Sequence, residues 1–176
     1  MEFSVLDSDF DEKPLHFLNL EPVSLVKHIA SAKLDYAVEQ FKERLNADDT
    51  LFTADTVVFL DNKTVYGKPQ SKEEAIAMLR SYSGKTHKVA TAIAGYSKAK
   101  NKSLVACSLS KLKFARLSAR DIDMLIENNE WQNVAGAYRI QGRAAFFVKK
   151  LIGSYSGVVG LPLYEFFTLA KKLKAI

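Results

Sequence analysis

The chain has 176 residues, 48% hydrophobic and 26% charged, which suits a single globular domain spanning 1–176 and excludes a disordered or linker-dominated polypeptide. Eight Gly and four Pro exclude a collagen-like repeat, and no uncharged apolar run approaches the ~20 residues that a membrane-spanning helix needs. The net charge of +5 hides a polarity, because residues 1–88 hold 11 basic against 15 acidic side chains and residues 89–176 hold 14 against 5.

The lone Cys107 makes no internal disulfide, and His16, His28 and His87 do not complete a Cys/His set for structural zinc. The N-terminus is acidic where a secretory signal would be basic, so a reducing, cytoplasmic location is expected, with no membrane partner.

In chain order, Phe3 to Leu6 is short and strand-like and leads into an acidic loop of Asp7, Asp9, Asp11 and Glu12, closed by Pro14. From Pro22 to Leu45 the residues Val26, Ala30, Leu34, Ala37, Val38 and Phe41 recur at helical spacing, with proline in the first turn. Leu51 to Leu60 is rich in β-branched and aromatic residues and turns at Asp61-Asn62 into Thr64-Val65-Tyr66, which predicts a strand and hairpin. Ser71-Lys72-Glu73-Glu74 has the form of a capping box and opens a helix that stops near Ser83-Gly84.

Two β-rich runs follow, from His87 to Ser97 and from Ser103 to Ala115, and then a short helix from Ser118 to Asn128. Residues 131–143 read as loop and 144–152 as a buried strand. A terminal helix from Leu163 to Leu173 is expected to turn Phe166, Phe167, Ala170 and Leu173 inward. Strands interleaved with helices predict an α/β fold, a mixed central β-sheet flanked by helices.

The sharpest chemical anomaly is Asp55, an acid inside an otherwise apolar or neutral strand, alternating onto the face of Leu51, Val57 and Phe59. A carboxylate there needs a cation, a metal or strong donors; a break in the strand or a bond to a backbone amide is the plainer account. Lys33 lies on the apolar stripe of the long helix, where a snorkelling stem is the ordinary reading. Lys68, between Gly67 and Pro69, sits in a turn able to aim an ammonium at a phosphate, as well as being an ordinary surface lysine.

Other patterns fail. The acidic loop lacks the glycine and terminal Glu of a calcium loop. Gly84-Lys85-Thr86 ends like a Walker loop but has Leu79 at the first glycine position. Gly153-Ser154-Tyr155-Ser156-Gly157 has Tyr at the centre of a would-be nucleophile elbow. The stretches Ala135 to Gly142 and Gly153 to Leu163 are glycine-containing loops that permit close approach to a ligand, and Trp131 reads as a packing residue.

Taken together, Ala54-Asp55-Thr56-Val57-Val58, Gly67-Lys68-Pro69, Ser83 to Val89, Ala135 to Gly142 and Gly153 to Leu163 resemble the Maf family of nucleoside triphosphate pyrophosphatases, in order and spacing. The resemblance implies an inosine-triphosphate-pyrophosphatase-like fold, often dimeric, so a homodimer is among the expectations. It also implies hydrolysis of a nucleoside triphosphate to the monophosphate and pyrophosphate with a divalent metal, Mg or Mn. Carried over by position, Asp55 is the catalytic carboxylate and, with Glu12, a metal-holding acid; Lys33 and Lys68 face the phosphates, and Gln141 is a substrate-binding residue. The Ala-Asp-Thr and Tyr-x-Ile-Gln-Gly forms are similar to the branch acting on dTTP and UTP.

The family's opening strand and Ser-x-x-Arg turn do not occur in the 176 residues. Their lack predicts weaker phosphate binding and gives an alternative, a catalytically impaired Maf-like protein that binds nucleotides or regulates. Arg139 stands where a glycine is common and Gly157 where an asparagine is common. The basic second half admits a nucleic-acid-binding role, but no motif accompanies the charge, and a nucleotide is the expected partner.

Overall fold

The computed structural model describes residues 3–12, 15, 18–61 and 64–176. Pro14, His16 and Asn62, used above, lie outside the described residues.

A long helix, α1 (Pro22–Phe41), continues into a 3-10 turn at Lys42–Arg44, and Pro22 sits in its first turn. Five strands follow with helices between them: β1 (Thr50–Phe59), β2 (Val65–Tyr66), α2 (Lys72–Tyr82), β3 (Thr86–Ser97), β4 (Lys102–Phe114), α3 (Ala119–Glu127) and β5 (Val148–Ile152). The chain ends with the short α4 (Tyr155–Val159) and α5 (Leu163–Leu173). The strands form one sheet in the order β2-β1-β3-β4-β5, and all four pairings are antiparallel. The expected α/β class, a central sheet flanked by helices, is therefore what the chain adopts.

Period-2 alternation divides the central strand between two apolar layers. Ala90, Ala92 and Ala94 of β3 face α1, with Val57 and Phe59 of β1 beside them against Val26, Ala30 and Leu34. The small alanines let a helix lie close to the sheet. On the other face Val58, Val89, Leu112 and Phe114 pack against Met78 and Leu79 of α2 and Ile122, Leu125 and Ile126 of α3. Both helices start as the sequence requires. The Ser71 side chain accepts from the Glu74 amide, and Ser118 forms a reciprocal box with Asp121.

Four expectations are corrected. Phe3 to Leu6 forms no strand: Phe3 and Val5 are 87% and 83% exposed, and an isolated apolar tetrapeptide without a neighbouring strand cannot satisfy its backbone as sheet. The run 144–152 is not one buried strand, because Arg143–Phe147 is a 3-10 helix and only Val148–Ile152 pairs, as an edge strand carrying Lys149 and Lys150. Phe167 of α5 faces outward at 50% exposure, whereas Phe166 meets Phe52 edge-on at 4.9 Å. The Gly153 to Leu163 stretch contains α4, capped by Ser154.

Candidate phosphate site at the edge of the first strand

β1 lies next to the margin of the sheet, but β2 pairs only with Val58 and Phe59, so the rest of its outer edge borders open space among the described residues. Asp55 sits in that stretch, on the α1 face, with Ala92 and then Cys107 beside it across the sheet. The helix is fastened at the same level, as the Thr53 hydroxyl donates to the Ala30 carbonyl at 2.8 Å. One turn further along α1, Lys33 extends toward the strand.

The Lys33 ammonium donates to Asp55 Oδ1 at 2.6 Å. It also pairs with Glu12 Oε2, and Lys68 Nζ donates to Glu12 Oε1 at 2.6 Å. Two acids and two bases thus alternate, Asp55–Lys33–Glu12–Lys68, running from an interior carboxylate to an ammonium that is 48% exposed. The two accounts offered for Asp55 and Lys33 resolve into one. The strand does not break at Asp55, and the Lys33 side chain, 20% exposed, does not snorkel out but meets the acid. Glu12 is drawn out of the acidic segment into this chain of charges, while Asp7, Asp9 and Asp11 are exposed. A contact between the Phe10 and Tyr36 rings, 5.6 Å apart, seats that segment on α1.

The electrostatics follow from the geometry. Burial alone would raise the Glu12 carboxyl pKa, but hydrogen bonds and charge from Lys33 and Lys68 outweigh it and bring it down to about 2. For Lys33, burial works against the charged form and the Asp55 and Glu12 carboxylates overcome it, so its pKa is raised. Both groups therefore stay ionised at neutral pH.

A cavity of about 240 Å³ opens beside these charges, lined by Lys33, Asp55, Thr56, Lys68, Tyr138 and Gln141 among others. Gln141 reaches it from the segment after the third helix, so the cavity brings together four of the five site residues expected from the sequence. Glu12 borders instead a larger cleft of about 2000 Å³ that shares Lys33, Ala54, Lys68 and Asn133 with the cavity. Arg139 also lines the cavity; its exposed guanidinium donates to the carbonyls of Glu130 and Gln132 at 3.3 and 3.5 Å.

Backbone contacts hold the walls. The Gly136 amide donates to the Gly67 carbonyl at 3.0 Å, joining the far wall to the turn that carries Lys68. Across the edge of β1, the Thr56 and Thr91 hydroxyls lie 2.9 Å apart, and Thr91 donates to the Gly157 carbonyl of α4 at 2.6 Å. Val158 and Val159 of α4 thereby reach the cavity. Tyr138 and α4 lie in the two glycine-containing stretches expected to approach a ligand, although the second was read as loop; Asn133 was not singled out, and Asn133 and Gly136, both with positive φ, are the residue types that mark the bend.

For a divalent ion the donor set fits. Asp55 and Glu12 offer hard carboxylate oxygens around one ammonium, and Mg or Mn commonly relies on one or two carboxylates with substrate phosphates supplying the remaining ligands. Among the described residues no group of three or more His, Cys, Asp or Glu forms a self-contained metal cage.

A cavity walled by two lysines, one carboxylate and a carboxamide on the edge of an α/β sheet has the chemistry to take a phosphorylated small molecule. The chain belongs to the Maf-like protein family, whose model matches residues 1–173. It is 36% identical over 176 residues to the dTTP/UTP pyrophosphatase of Treponema denticola, covering 97% of this chain and 86% of that protein. It is 42% identical over 157 residues to the protein of the same name from Nitrosospira multiformis, covering 89% and 73%. Against that of Polaromonas sp. the identity is 40% over 144 residues, covering 82% and 70%. No helix among the described residues is long and apolar enough to cross a membrane.

Proposed function

We propose that the protein hydrolyses a pyrimidine nucleoside triphosphate, dTTP or UTP, to the nucleoside monophosphate and pyrophosphate. The observation that carries this reading is the alternating Asp55–Lys33–Glu12–Lys68 array beside a cavity that also holds Gln141. Family membership and the printed names of the relatives support it.

The reaction breaks the bond between Pα and the bridging oxygen, and water supplies the oxygen that joins Pα. Lys33 and Lys68 neutralise phosphate oxygens and the charge that builds on the departing pyrophosphate. Asp55, in contact with an ammonium and partly enclosed, takes the proton that water gives up. Gln141 offers a carboxamide, donor and acceptor at once, to the nucleotide. Asp55 and Glu12 would hold Mg or Mn, which when bound supplies Lewis-acid polarisation of the phosphoryl oxygens. Cys107, the single cysteine, is in keeping with a reducing cytoplasm.

The test is release of pyrophosphate from dTTP, UTP, dCTP and GTP by purified protein with Mg or Mn. The reading requires pyrophosphate and monophosphate in equal amounts, fastest for dTTP or UTP. Release of single inorganic phosphate, or no turnover of any of the four, would sink it.

A further inference from the structure

The wall that carries Tyr138 and Gln141 is strained. Three of its five residues from Asn133 to Ala137 have a left-handed backbone, with φ of 59° at Asn133, 73° at Gly136 and 63° at Ala137. Ala137 is 2% exposed and has no side-chain polar group to compensate that conformation. Such a segment persists only where its surroundings over-determine it. The backbone bond from Gly136 to Gly67 is one restraint; the other is a side chain of β3, on the sheet face that this segment packs against.

His87, at the start of β3 opposite Leu112, is fully buried, and its Nε2 lies 2.7 Å from the Tyr138 hydroxyl. Its ring stacks on Tyr82 at 4.6 Å and meets Phe114 edge-on at 4.9 Å, so it cannot turn away. Tyr138, 7% exposed, lines the nucleotide cavity three residues before Gln141. Burial strongly disfavours a charge on this imidazole, so it serves as a neutral hydrogen-bonding ring.

We propose that His87 is a positioning residue: by holding the Tyr138 hydroxyl it keeps the strained Asn133–Gln141 wall in the one arrangement that places Gln141 on the nucleotide. It never touches substrate. Its effect is on the fraction of molecules whose wall is formed before binding, and a fall in that fraction raises the apparent dissociation constant in proportion while chemistry on the bound nucleotide is unchanged. This inference rests on the pyrophosphatase reading for its kinetic consequence.

Two variants test it, His87→Phe, which keeps a ring and removes the nitrogens, and Tyr138→Phe, which removes one oxygen. Assayed below the melting temperature of both, each should raise KM for dTTP about tenfold with kcat within about twofold, and the double variant should go no further. His87→Gln, which keeps a hydrogen-bonding group at that depth, should recover most of the loss. Amide hydrogen exchange over 133–141 should rise in both single variants and stay unchanged in α3. Lowered melting temperatures with unchanged KM would reduce His87 to a packing residue and overturn the proposal. Should His87→Phe not fold, Tyr138→Phe alone decides. Should the unaltered protein turn over no nucleotide, the functional reading fails, and exchange over 133–141 still decides whether the clamp exists.

Discussion

Lys33 and Asp55 meet at 2.6 Å across the seam between α1 and β1, twenty-two residues apart in the chain, and the same ammonium is shared with Glu12. The pair is therefore both a structural joint and the inner end of the site.

Removing one partner separates those roles. Lys33→Met leaves Asp55, 8% exposed, facing an apolar stem, and should cost about 2–4 kcal/mol in urea unfolding because a buried carboxylate loses the Lys33 ammonium that donates to it. Asp55→Asn keeps the shape and removes the charge. It should stay folded by circular dichroism and lose more than about a hundredfold in pyrophosphate release, as expected when a proton acceptor is removed. Activity within twofold of the parent would take Asp55 out of the chemistry.

Lys68 is the outer, half-exposed end of the same array. Lys68→Ala should therefore change unfolding free energy by about 1 kcal/mol or less, since exposed ion pairs contribute little. It should nevertheless raise KM for the triphosphate about tenfold or more, because the charge is aimed at substrate. Titrating salt in the assay adds a check: the KM of the parent should climb with ionic strength more steeply than that of the variant.

Acid sensitivity has a distinct source on the other face of the sheet. Burial lowers the His87 pKa from an ordinary 6.5 to about 4 in the folded protein, with Tyr82 and Tyr138 as its titratable neighbours. The unfolded chain takes up the proton first, so the contribution of this residue to stability is complete above pH 6.5 and is lost as pH falls toward 4. The loss amounts to about 3 kcal/mol at most. Urea midpoints measured across that window should fall for the parent and flatten for His87→Phe; parallel curves would contradict the assignment.

Gly136 has φ of 73°, and a Cβ built there would lie 2.7 Å from Val58 Cγ2. Gly136→Ala should destabilise the protein by about 1–3 kcal/mol through strain and crowding together. It should also raise KM, since the displaced segment is the cavity wall. Pairing it with Val58→Ala should recover part of the crowding loss and none of the backbone cost, which differential scanning calorimetry can resolve.

What was legible in the chain divides along physical lines. Helices with strong periodicity or caps, Pro22 onward, Ser71 and Ser118, emerged because local chemistry fixes their ends. Asp55 stood out because a charge in an apolar strand has few stable explanations, and the structure supplies one of those anticipated. Partners were not legible. Nothing local ties Lys33 to Asp55, or His87 to Tyr138 across 51 residues, since such pairs depend on how layers stack. The segments misread, Phe3 to Leu6 and Ala144 to Phe147, are apolar runs too short for their period to be diagnostic; whether they pair as strands depends on a neighbour that local sequence does not name. Gln141, Lys68 and Glu12 were assigned by family resemblance, and their convergence on neighbouring cavities is a property of the fold alone.

The ladder between β1 and β3 runs unbroken from Thr50 opposite Ser97 to Phe59 opposite Lys88. Sliding the first strand by a single position would send Asp55 through the sheet to the side of Tyr82 and Phe114, far from any ammonium on α1. A mis-slid chain would thus strand a naked carboxylate in aromatic surroundings, so the charged joint doubles as a proofreader of strand alignment during folding, and the acid that serves the substrate also rejects the wrong fold.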